Sequence, residues 1–517
     1  MNYKLIFEEK FLSIFNDLKN IKYFILLYII ILSLFSISFL QIEDYLNPVF
    51  EISVFCLLIL LGIISLIYYN RNKKNLYKVA FLIIIIFGIV SVFLTPITDV
   101  SDENEHFVRA EIVSQGQVLT DYVNVPNTTG NGYKTIESVS LFYLNSGINV
   151  FNTGVDDQKI NYSTNYFNSA FAQNPFYGYL AQGIGIDIAK LFDLNAIWML
   201  WIGRFFNLLL YGVVCAIAIK KSPIFKLPLT LVACLPLAIY QGASMSIDAS
   251  INAFGILTIA YFFLMYKSPK KSIKWKDIGI FYIACMLCGL IKSPYLLLCL
   301  LILIVPRKNF INTKQCVISK ISVVGVFLIG IAWNFGYATY QLSNSWRGDY
   351  FIKNNVSPSG QIEYIKQHPL ISTERFLGII NTIPYMFNNL FFFSNGPQAY
   401  FSNLLGTFYG IFFCIFSLIY PLSVKIRNSD RIKAFIIAAL IYISTFVIQY
   451  LTWSSVGGTK ITAGVFGRYF IPLLVFLPFI FGINNENIDN KKIKLLTMTI
   501  AISFISGMLM LTTAVKY

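Results

Sequence analysis

The chain has 517 residues, of which 56% are hydrophobic and only 13% are charged, and its mean hydropathy is +0.65. A soluble protein of this size would carry about 25% charged residues, so the composition excludes an ordinary soluble enzyme. A formal net charge of +15 would suggest a nucleic-acid partner in a soluble protein, but here the distribution of the charge along the chain is more informative than its sum.

Continuous apolar runs of about 20 residues recur along the whole chain, and runs of that length are typical of membrane-spanning helices. We therefore predict an all-α polytopic integral membrane protein with about 13 transmembrane helices. The run 295–306 is short for a span and also fits a re-entrant segment. The predicted spans lie near 22–41, 50–69, 79–95, 195–219, 225–242, 248–266, 277–291, 295–306, 318–339, 399–422, 432–452, 466–483 and 494–515.

Six connecting segments between the predicted spans are strongly basic. Together they hold 23 Lys and Arg residues against one acid, Asp430. Because basic loops remain on the cytoplasmic side, we predict that all six segments and the N-terminus face the cytoplasm. The six segments are 70–78, 220–226, 267–276, 307–320, 425–433 and 491–494.

Alternation along the chain then places two long loops, 96–194 and 340–398, outside the cytoplasm. The first part of the first loop, 96–174, is acidic, with nine Asp or Glu residues against three Lys or Arg residues. The apolar stretch 175–192 would reverse the side of every later loop if it crossed the membrane. We therefore predict that it forms an interfacial or partly buried helix on the outer side.

The most informative polar cluster begins a few residues after the third predicted span. Asp102, Glu103, His106 and Arg109 follow one another at helical spacing, which brings them close together on a helix. Carboxylates beside an imidazole suit a general base, and Asp102, Glu103 and His106 could also bind a divalent cation, although no metal is required. A simpler interpretation is a helix N-cap provided by Ser101 or Asp102.

Further polar residues gather near the predicted outer ends of other spans. Arg204 lies inside an apolar run, where an arginine costs at least ~2.5 kcal/mol at the bilayer centre. We expect it to pair with an acid such as Asp248 or to bind an anionic ligand. Ser244, Asp248 and Asn252 are spaced to form one helical stripe, although an N-cap at Ser246 or Asp248 would explain the same pattern.

Two more cations, Lys292 and Arg468, lie at the predicted outer ends of spans, and Tyr295 follows Lys292 closely. Snorkelling of a long side chain to the membrane surface would explain either cation alone. Taken together with Arg204, however, the separated cations suit a phosphate or diphosphate head group held at the membrane surface.

Five motifs, in order along the chain, resemble those of a bacterial multi-spanning family known as domain of unknown function 2142. The resemblance covers roughly 90–480 and leaves the two N-terminal helices as an apparent addition. The motifs are Pro96…Asp102-Glu103-x-x-His106-Phe-x-Arg109-Ala110, Ser244-x-Ser-x-Asp248-Ala-x-x-Asn252, Lys292-x-Pro294-Tyr295, Gln367-His368-Pro369 and Gly464-Val-x-Gly467-Arg468-Tyr469-x-x-Pro472.

That family is grouped with the GT-C superfamily of integral membrane glycosyltransferases. The resemblance implies a GT-C-like fold in which two large extracytoplasmic loops bear juxtamembrane helices. The segment Asn174-Pro175-x-Tyr177 resembles a Pro-containing element of those enzymes but departs from their usual Lys-Pro-Pro or His-Pro-Pro. The implied division is two N-terminal spans in 1–78, a catalytic membrane module in 79–340 that includes the loop 96–194, a second loop in 341–398 and C-terminal helices in 399–517.

The resemblance also implies a function. A sugar would move, with inversion, from a polyprenyl-phosphate donor to an extracytoplasmic acceptor on a cell-envelope polysaccharide or glycolipid, in a bacterial plasma membrane. No nucleic-acid partner is expected, and no cofactor is definitely implied. The implied roles are catalysis by Asp102 or Glu103, orientation and support by His106, Arg109, Asp248 and Asn252, and lipid-phosphate binding by Arg204, Lys292, Tyr295 and Arg468.

Two other functions fit parts of the same pattern. A polysaccharide polymerase or ligase acting on undecaprenyl-diphosphate glycans would use the outer cations equally well, and its product would gain a whole repeat rather than one monosaccharide. A flippase or transporter of lipid-linked sugars would need intramembrane charges at several depths, whereas the polar residues here gather on the predicted outer side.

Overall fold

Eight helices of the computed structural model are long and apolar enough to cross a membrane, judged by length and composition. The structure describes residues 3–39, 47–124, 132–149, 154–155, 157–391, 399–422, 425–461, 464–483 and 491–517. Within these residues the candidate spans are Phe15–Phe39, Pro48–Arg71, Leu76–Leu94, Ile197–Lys221, Asp248–Lys267, Thr313–Asn344, Asn428–Trp453 and Lys491–Lys516. The chain is therefore a multi-pass membrane protein, as its composition predicts.

Helix dominates the described chain, and long apolar helices alternate with short helices in the loops. In chain order the α-helices are α1 (Tyr3–Phe39), α2 (Pro48–Arg71), α3 (Leu76–Leu94), α4 (Glu103–Ser114), α5 (Ser138–Leu144), α6 (Leu180–Leu191), α7 (Ile197–Lys221), α8 (Lys226–Ala233), α9 (Pro236–Gly242), α10 (Asp248–Lys267), α11 (Trp275–Gly289), α12 (Thr313–Trp333), α13 (Thr339–Asn344), α14 (Trp346–Lys353), α15 (Pro358–Gln367), α16 (Pro369–Asn381), α17 (Ile383–Asn388), α18 (Ala399–Ile419), α19 (Asn428–Trp453), α20 (Leu477–Phe481) and α21 (Lys491–Lys516).

The predicted count of about 13 spans is not confirmed, because five of the predicted runs are not among the eight candidate spans of the described residues. Pro236 separates α8 from α9 within the run 225–242, since proline has no N–H for the helical ladder. The run 295–306 forms a 3₁₀ helix, Ser293–Leu303, whose rise of about 2.0 Å per residue extends it to roughly 22 Å. The other three runs are α11, Gly467–Phe481 and α18, of which the part counted is Asn403–Ile419.

The first loop contains a small sheet, which corrects the all-α prediction locally. Strands β1 (Tyr122–Val123), β2 (Gly132–Ile136) and β3 (Thr164–Phe167) pair antiparallel in the order β1-β2-β3. Aromatic and β-branched residues favour strands when one face is buried, and Tyr133 of β2 is fully buried. Under the sheet lies a cluster of buried apolar side chains, Phe107 and Phe142 among them, that is separate from the core of the helix bundle.

The stretch 175–192 is too short to cross a membrane in this structure. It forms a 3₁₀ turn, Phe176–Gly178, followed by α6, which at 12 residues is about 18 Å long. Helix α6 packs on α4 and α7 and exposes Leu180, Ile184 and Leu191 on its other side. Helix α6 is therefore partly buried, which is one of the two predicted alternatives, while its position on the outer side stays a prediction.

Segments that the charge pattern assigns to one side of the membrane contact one another. Among the basic segments, the Lys271 amide donates to the Lys308 carbonyl at 2.9 Å. Between the two predicted outer loops, the Tyr133 hydroxyl of the first contacts Gln341 of the second at 2.8 Å. Both contacts agree with the charge pattern, while the assignment of the segments to the cytoplasm and the exterior stays a prediction.

The two N-terminal helices pack against the C-terminal helix. The Tyr28 hydroxyl of α1 donates to the Leu58 carbonyl of α2 at 2.6 Å and lies 2.9 Å from the Ser506 hydroxyl of α21. These three helices form one group beside α3. The division of the chain at residue 78 stays a prediction.

Candidate functional site

The acidic motif lies where α3 ends and α4 begins. Asp102 occupies the N-cap position of α4 with φ of +64°, in the left-handed region that a non-glycine residue enters at a cost. Its side chain makes no capping hydrogen bond. The capping interpretation of Asp102 is therefore wrong for its side chain, which is directed to other partners. Strained backbone of this kind is often found at functional sites.

Glu103 and Arg204 form a buried ion pair in which neither side chain is exposed. The Arg204 Nε and Nη2 atoms donate to the two Glu103 oxygens at 2.9 and 2.7 Å. The same carboxylate also accepts the Met245 backbone N–H at 2.8 Å. The remaining guanidinium hydrogens reach three backbone carbonyls of 92–96 at 2.7–3.1 Å, so all five donors of this arginine are used.

A second guanidinium, that of Arg468, is shared by two aspartates. Its Nε donates to Asp248 Oδ2 at 2.7 Å and its Nη2 donates to Asp102 Oδ2 at 3.0 Å. The side chains of Arg468 and Asp248 are each 9% exposed, whereas that of Asp102 is 44% exposed. These three residues, which we call the Arg468 cluster, therefore combine two buried charges with one accessible carboxylate.

Lys292 lies next to the Arg468 cluster, and its charge acts on that of both aspartates. Its ammonium group is placed over the ring of Tyr469, and it forms no ion pair within the described part of the chain. The Tyr295 hydroxyl, three residues further on, donates to the Tyr469 carbonyl at 2.5 Å. Tyr295 thus ties the segment that carries Lys292 to the segment that carries Arg468.

His106 lies one turn into α4 and faces a chain of contacts within the first loop rather than a carboxylate. Its Nδ1 is 2.7 Å from the Tyr179 hydroxyl, and Asn174 Nδ2 donates to the same hydroxyl oxygen at 2.9 Å. The Phe171 ring stacks on the imidazole with centroids 4.6 Å apart. Burial lowers the pKa of His106 to about 4, so the ring is neutral at neutral pH.

Glu105 and Arg109 hold the loop segment 169–179 against α4. The Ser169 hydroxyl donates to Glu105 at 2.5 Å, and burial raises the pKa of this carboxyl. Arg109 is fully buried and donates to the carbonyls of Asn174 at 3.2 Å and Val118 at 3.3 Å. The residue expected to orient the carboxylates therefore fixes the loop instead.

Two further expectations about partners are corrected by the geometry. Asp248 pairs with Arg468, not with Arg204, because α10 presents it to the segment that begins at Gly467. Ser244 does not extend a helical stripe, since α10 begins only at Asp248. Asn252 does lie one turn further along α10, with its Nδ2 buried and without a hydrogen-bond partner among the described residues.

The structure does not bring together Asp102, Glu103 and His106, which the sequence offered as ligands for a divalent cation. In the described ranges, no group of three or more His, Cys, Asp or Glu residues is arranged to hold a metal ion. Glu103 is occupied by Arg204 and His106 by Tyr179, which leaves only Asp102 of the three accessible. Metal binding by these three residues would require both contacts to break.

The sequence gave no role to Tyr179, which contacts His106, or to Tyr469, which lies under Lys292, although Tyr469 belongs to the fifth motif. Both are aromatic residues in apolar surroundings, where packing is the ordinary explanation. A usable signal was their position: Tyr469 follows Arg468 directly, and Tyr179 lies five residues after Asn174.

With the site in view, comparison with known proteins gives one match. The chain belongs to the family of predicted membrane proteins described as DUF2142, whose family model matches residues 85–477. The match contains every residue of the candidate site and leaves α1, α2 and α21 outside. No curated protein and no solved structure matches the chain.

Proposed function

We propose that this DUF2142 member is a membrane glycosyltransferase that moves a sugar from a polyprenyl-phosphate donor to an acceptor hydroxyl of the cell envelope. The observation that carries the proposal is the Arg468 cluster beside Lys292, in which an accessible carboxylate adjoins two cations at the end of a helix bundle. A lipid carrier would lie in the bilayer and present its phosphate at this level.

Asp102 is the carboxylate suited to act as general base. Its side chain is 44% exposed and is held from one side by Arg468, so an acceptor hydroxyl can reach it. Glu103 is a poor candidate because it is fully buried and accepts three hydrogen bonds. We therefore assign catalysis to Asp102 and a structural role to Glu103.

The reaction balances without a further reactant. Asp102 accepts the proton of the acceptor hydroxyl, and the hydroxyl oxygen forms a bond to the anomeric carbon from the face opposite the phosphate. The bond between the anomeric carbon and the phosphate oxygen breaks, and its electron pair remains on the polyprenyl phosphate. The configuration at the anomeric carbon is inverted.

Lys292 and Arg468 are suited to bind the donor phosphate and to stabilise the charge that develops on it. Lys292 has no carboxylate partner in the described chain and is free to bind an anion. Arg204 is not suited to this role, because all five of its donors are already used. We place the active site on the extracytoplasmic face, as the loop charges predict. The membrane would be a bacterial plasma membrane, as the resemblance implies.

The test compares two aspartates of the first loop that share a left-handed backbone conformation. Asp102 and Asp193 have φ of +64° and +45°, and each contacts a cation, but only Asp102 belongs to the Arg468 cluster. Asparagine is tolerated in this conformation, so neither Asp102→Asn nor Asp193→Asn should disturb folding.

Purified protein is incubated with radiolabelled polyprenyl-phosphate sugars, one at a time, and with envelope acceptor. We expect label on the acceptor with the wild type and with Asp193→Asn, and a reduction of about 100- to 10,000-fold with Asp102→Asn. Equal transfer by both variants would contradict the role of Asp102. Transfer only from a diphosphate-linked glycan, with a whole repeat added, would favour the polymerase or ligase.

A further inference from the structure

His106 carries two ring nitrogens, and the structure accounts for only one of them. Nδ1 lies 2.7 Å from the Tyr179 hydroxyl, which is fully buried. The same hydroxyl oxygen accepts a hydrogen bond from Asn174 Nδ2 at 2.9 Å. Nε2 makes no hydrogen bond to any described residue, and 4% of the His106 surface is exposed.

With Asn174 Nδ2 directed at the Tyr179 hydroxyl, the chain of contacts favours one tautomer of His106. Because Asn174 donates to the Tyr179 oxygen, the Tyr179 hydrogen is available for Nδ1, which must then be an acceptor. In the other tautomer, Nδ1–H would donate to the same oxygen. The Tyr179 hydrogen would then be buried without an acceptor in the described chain, at a cost of about 1–3 kcal/mol.

The imidazolium form is disfavoured by the same surroundings. Both nitrogens of a protonated ring are donors, so the bond from Tyr179 to Nδ1 would be lost. Burial outweighs the charges that act on the ring, which are Asp102 at the start of α4, Asp248 on α10 and Arg468 on the segment from Gly467, and the pKa falls to about 4.

We propose that Asn174 and Tyr179 hold His106 as the neutral Nε2–H tautomer, and that this N–H donates a hydrogen bond to an oxygen of the ligand bound at the Arg468 cluster. Stacking on Phe171 fixes the plane of the ring. His106 is then a direct contact to the ligand, whereas Asn174 and Tyr179 are positioning residues. The tautomer stands on the geometry alone, while the contact to a sugar or phosphate oxygen rests on the proposed function.

The tautomer can be measured directly, because the chain contains only two histidines, His106 and His368. In a His368→Gln variant labelled with ¹⁵N-histidine, the ¹⁵N spectrum reports His106 alone. We expect a protonated Nε2 and an unprotonated Nδ1, unchanged between roughly pH 5 and 8. A proton on Nδ1, or two protonated nitrogens at neutral pH, would overturn the proposal.

A matched pair of variants tests the positioning role. Tyr179→Phe removes the hydroxyl that donates to Nδ1, and we expect the spectrum to change to a mixture of tautomers. Tyr177→Phe removes a hydroxyl of the same segment that donates to the Leu287 carbonyl, and the spectrum should stay as in the parent. A spectrum unaffected by Tyr179→Phe would show that Tyr179 does not set the tautomer.

The ligand contact is tested by two replacements of His106 that act in opposite ways. A glutamine places an amide N–H near the position of Nε2, whereas an asparagine places its amide near Nδ1. If Nε2–H contacts the ligand, His106→Gln retains more transfer than His106→Asn. If His106 only anchors Tyr179, asparagine is the better replacement. More transfer by His106→Asn than by His106→Gln would therefore overturn the contact between His106 and the ligand.

The two proposals can fail separately. Absence of transfer from every lipid-linked sugar by the wild type would end the glycosyltransferase proposal and with it the ligand contact to a sugar or phosphate. The ¹⁵N spectrum would still decide whether Asn174 and Tyr179 fix the tautomer of His106.

Discussion

Two carboxylate–arginine contacts lie at the same end of the helix bundle, and they come from adjacent residues of one motif. Glu103 meets Arg204 where neither side chain is exposed, and every donor of that arginine is used. Asp102 meets Arg468 at the surface of the site, and Arg468 is shared with Asp248. Arg204 has no donor left for a ligand, whereas the contact between Asp102 and Arg468 can open to admit a phosphate or a hydroxyl.

The left-handed conformation of Asp102 separates the two neighbours. It turns the chain so that Asp102 reaches Arg468 while Glu103 enters the helix bundle. Adjacent residues with the same charge therefore acquire different roles, one accessible and one structural. The following experiments test this difference, beginning with the largest expected effect.

Removing one partner of the buried pair should have the largest effect on stability. Arg204→Met leaves the Glu103 carboxylate buried without its cation, which is expected to cost about 3–5 kcal/mol. The measurement is the unfolding midpoint of the detergent-purified protein. A double variant, Glu103→Leu with Arg204→Met, should be more stable than Arg204→Met because no charge is left unpaired. A double variant no better than the single would contradict the assignment.

Acid should destabilise the first loop through His106. The pKa of His106 is lowered to about 4 in the folded protein and is about 6.5 in the unfolded chain. The contribution of His106 to the free energy of unfolding is therefore fully present above pH 6.5 and is lost as the pH falls toward 4. Because each unit of pKa difference is worth 1.36 kcal/mol, the full loss of stability is about 3 kcal/mol. Stability of wild type and His106→Gln is compared across this window, and an equal loss in both would exclude His106 as the cause.

Lys292 should contribute affinity rather than stability. Replacing it with methionine removes a charge-assisted hydrogen bond, and binding of sugar-free polyprenyl phosphate should weaken by about 10- to 100-fold. Lys292→Arg keeps the charge and should retain most of the affinity. Binding unchanged in Lys292→Met, measured by calorimetry in detergent, would remove Lys292 from the phosphate site.

The smallest effect separates backbone strain from chemistry at Asp102. Glycine adopts φ of +64° freely, whereas alanine pays about 1–2 kcal/mol there. Asp102→Gly should therefore unfold at a higher temperature than Asp102→Ala, while both lack transfer because both lack the carboxylate. Retained transfer in either variant would show that the carboxylate is not the base.

The sequence named most residues of the candidate site but not their partners. Asp102, Asp248, Lys292 and Arg468 do come together, although they are spread over most of the chain. Arg204 was expected to pair with an acid and does so, but the acid is Glu103 and not Asp248. Spacing on one helix cannot distinguish these choices, because the partner is decided by which helices pack together.

The fold shows the same division between local and tertiary information. Hydropathy identified the long spans, but it also counted 225–242, which Pro236 interrupts, and 295–306, where only the 3₁₀ helix Ser293–Leu303 forms. The small sheet of the first loop was missed because β1 and β3 have only two and four residues. Strands this short carry too few residues for an alternating pattern.

The sequence by itself determined that the chain spans a membrane and that its polar residues gather near one end, because about 20 apolar residues are needed to cross a bilayer and charges inside it are costly. Only the tertiary structure decided which charges are saturated and which are accessible. Arg204 meets a carboxylate 101 residues away and Arg468 one 366 residues away, and contacts over such distances follow from helix packing rather than from any local pattern.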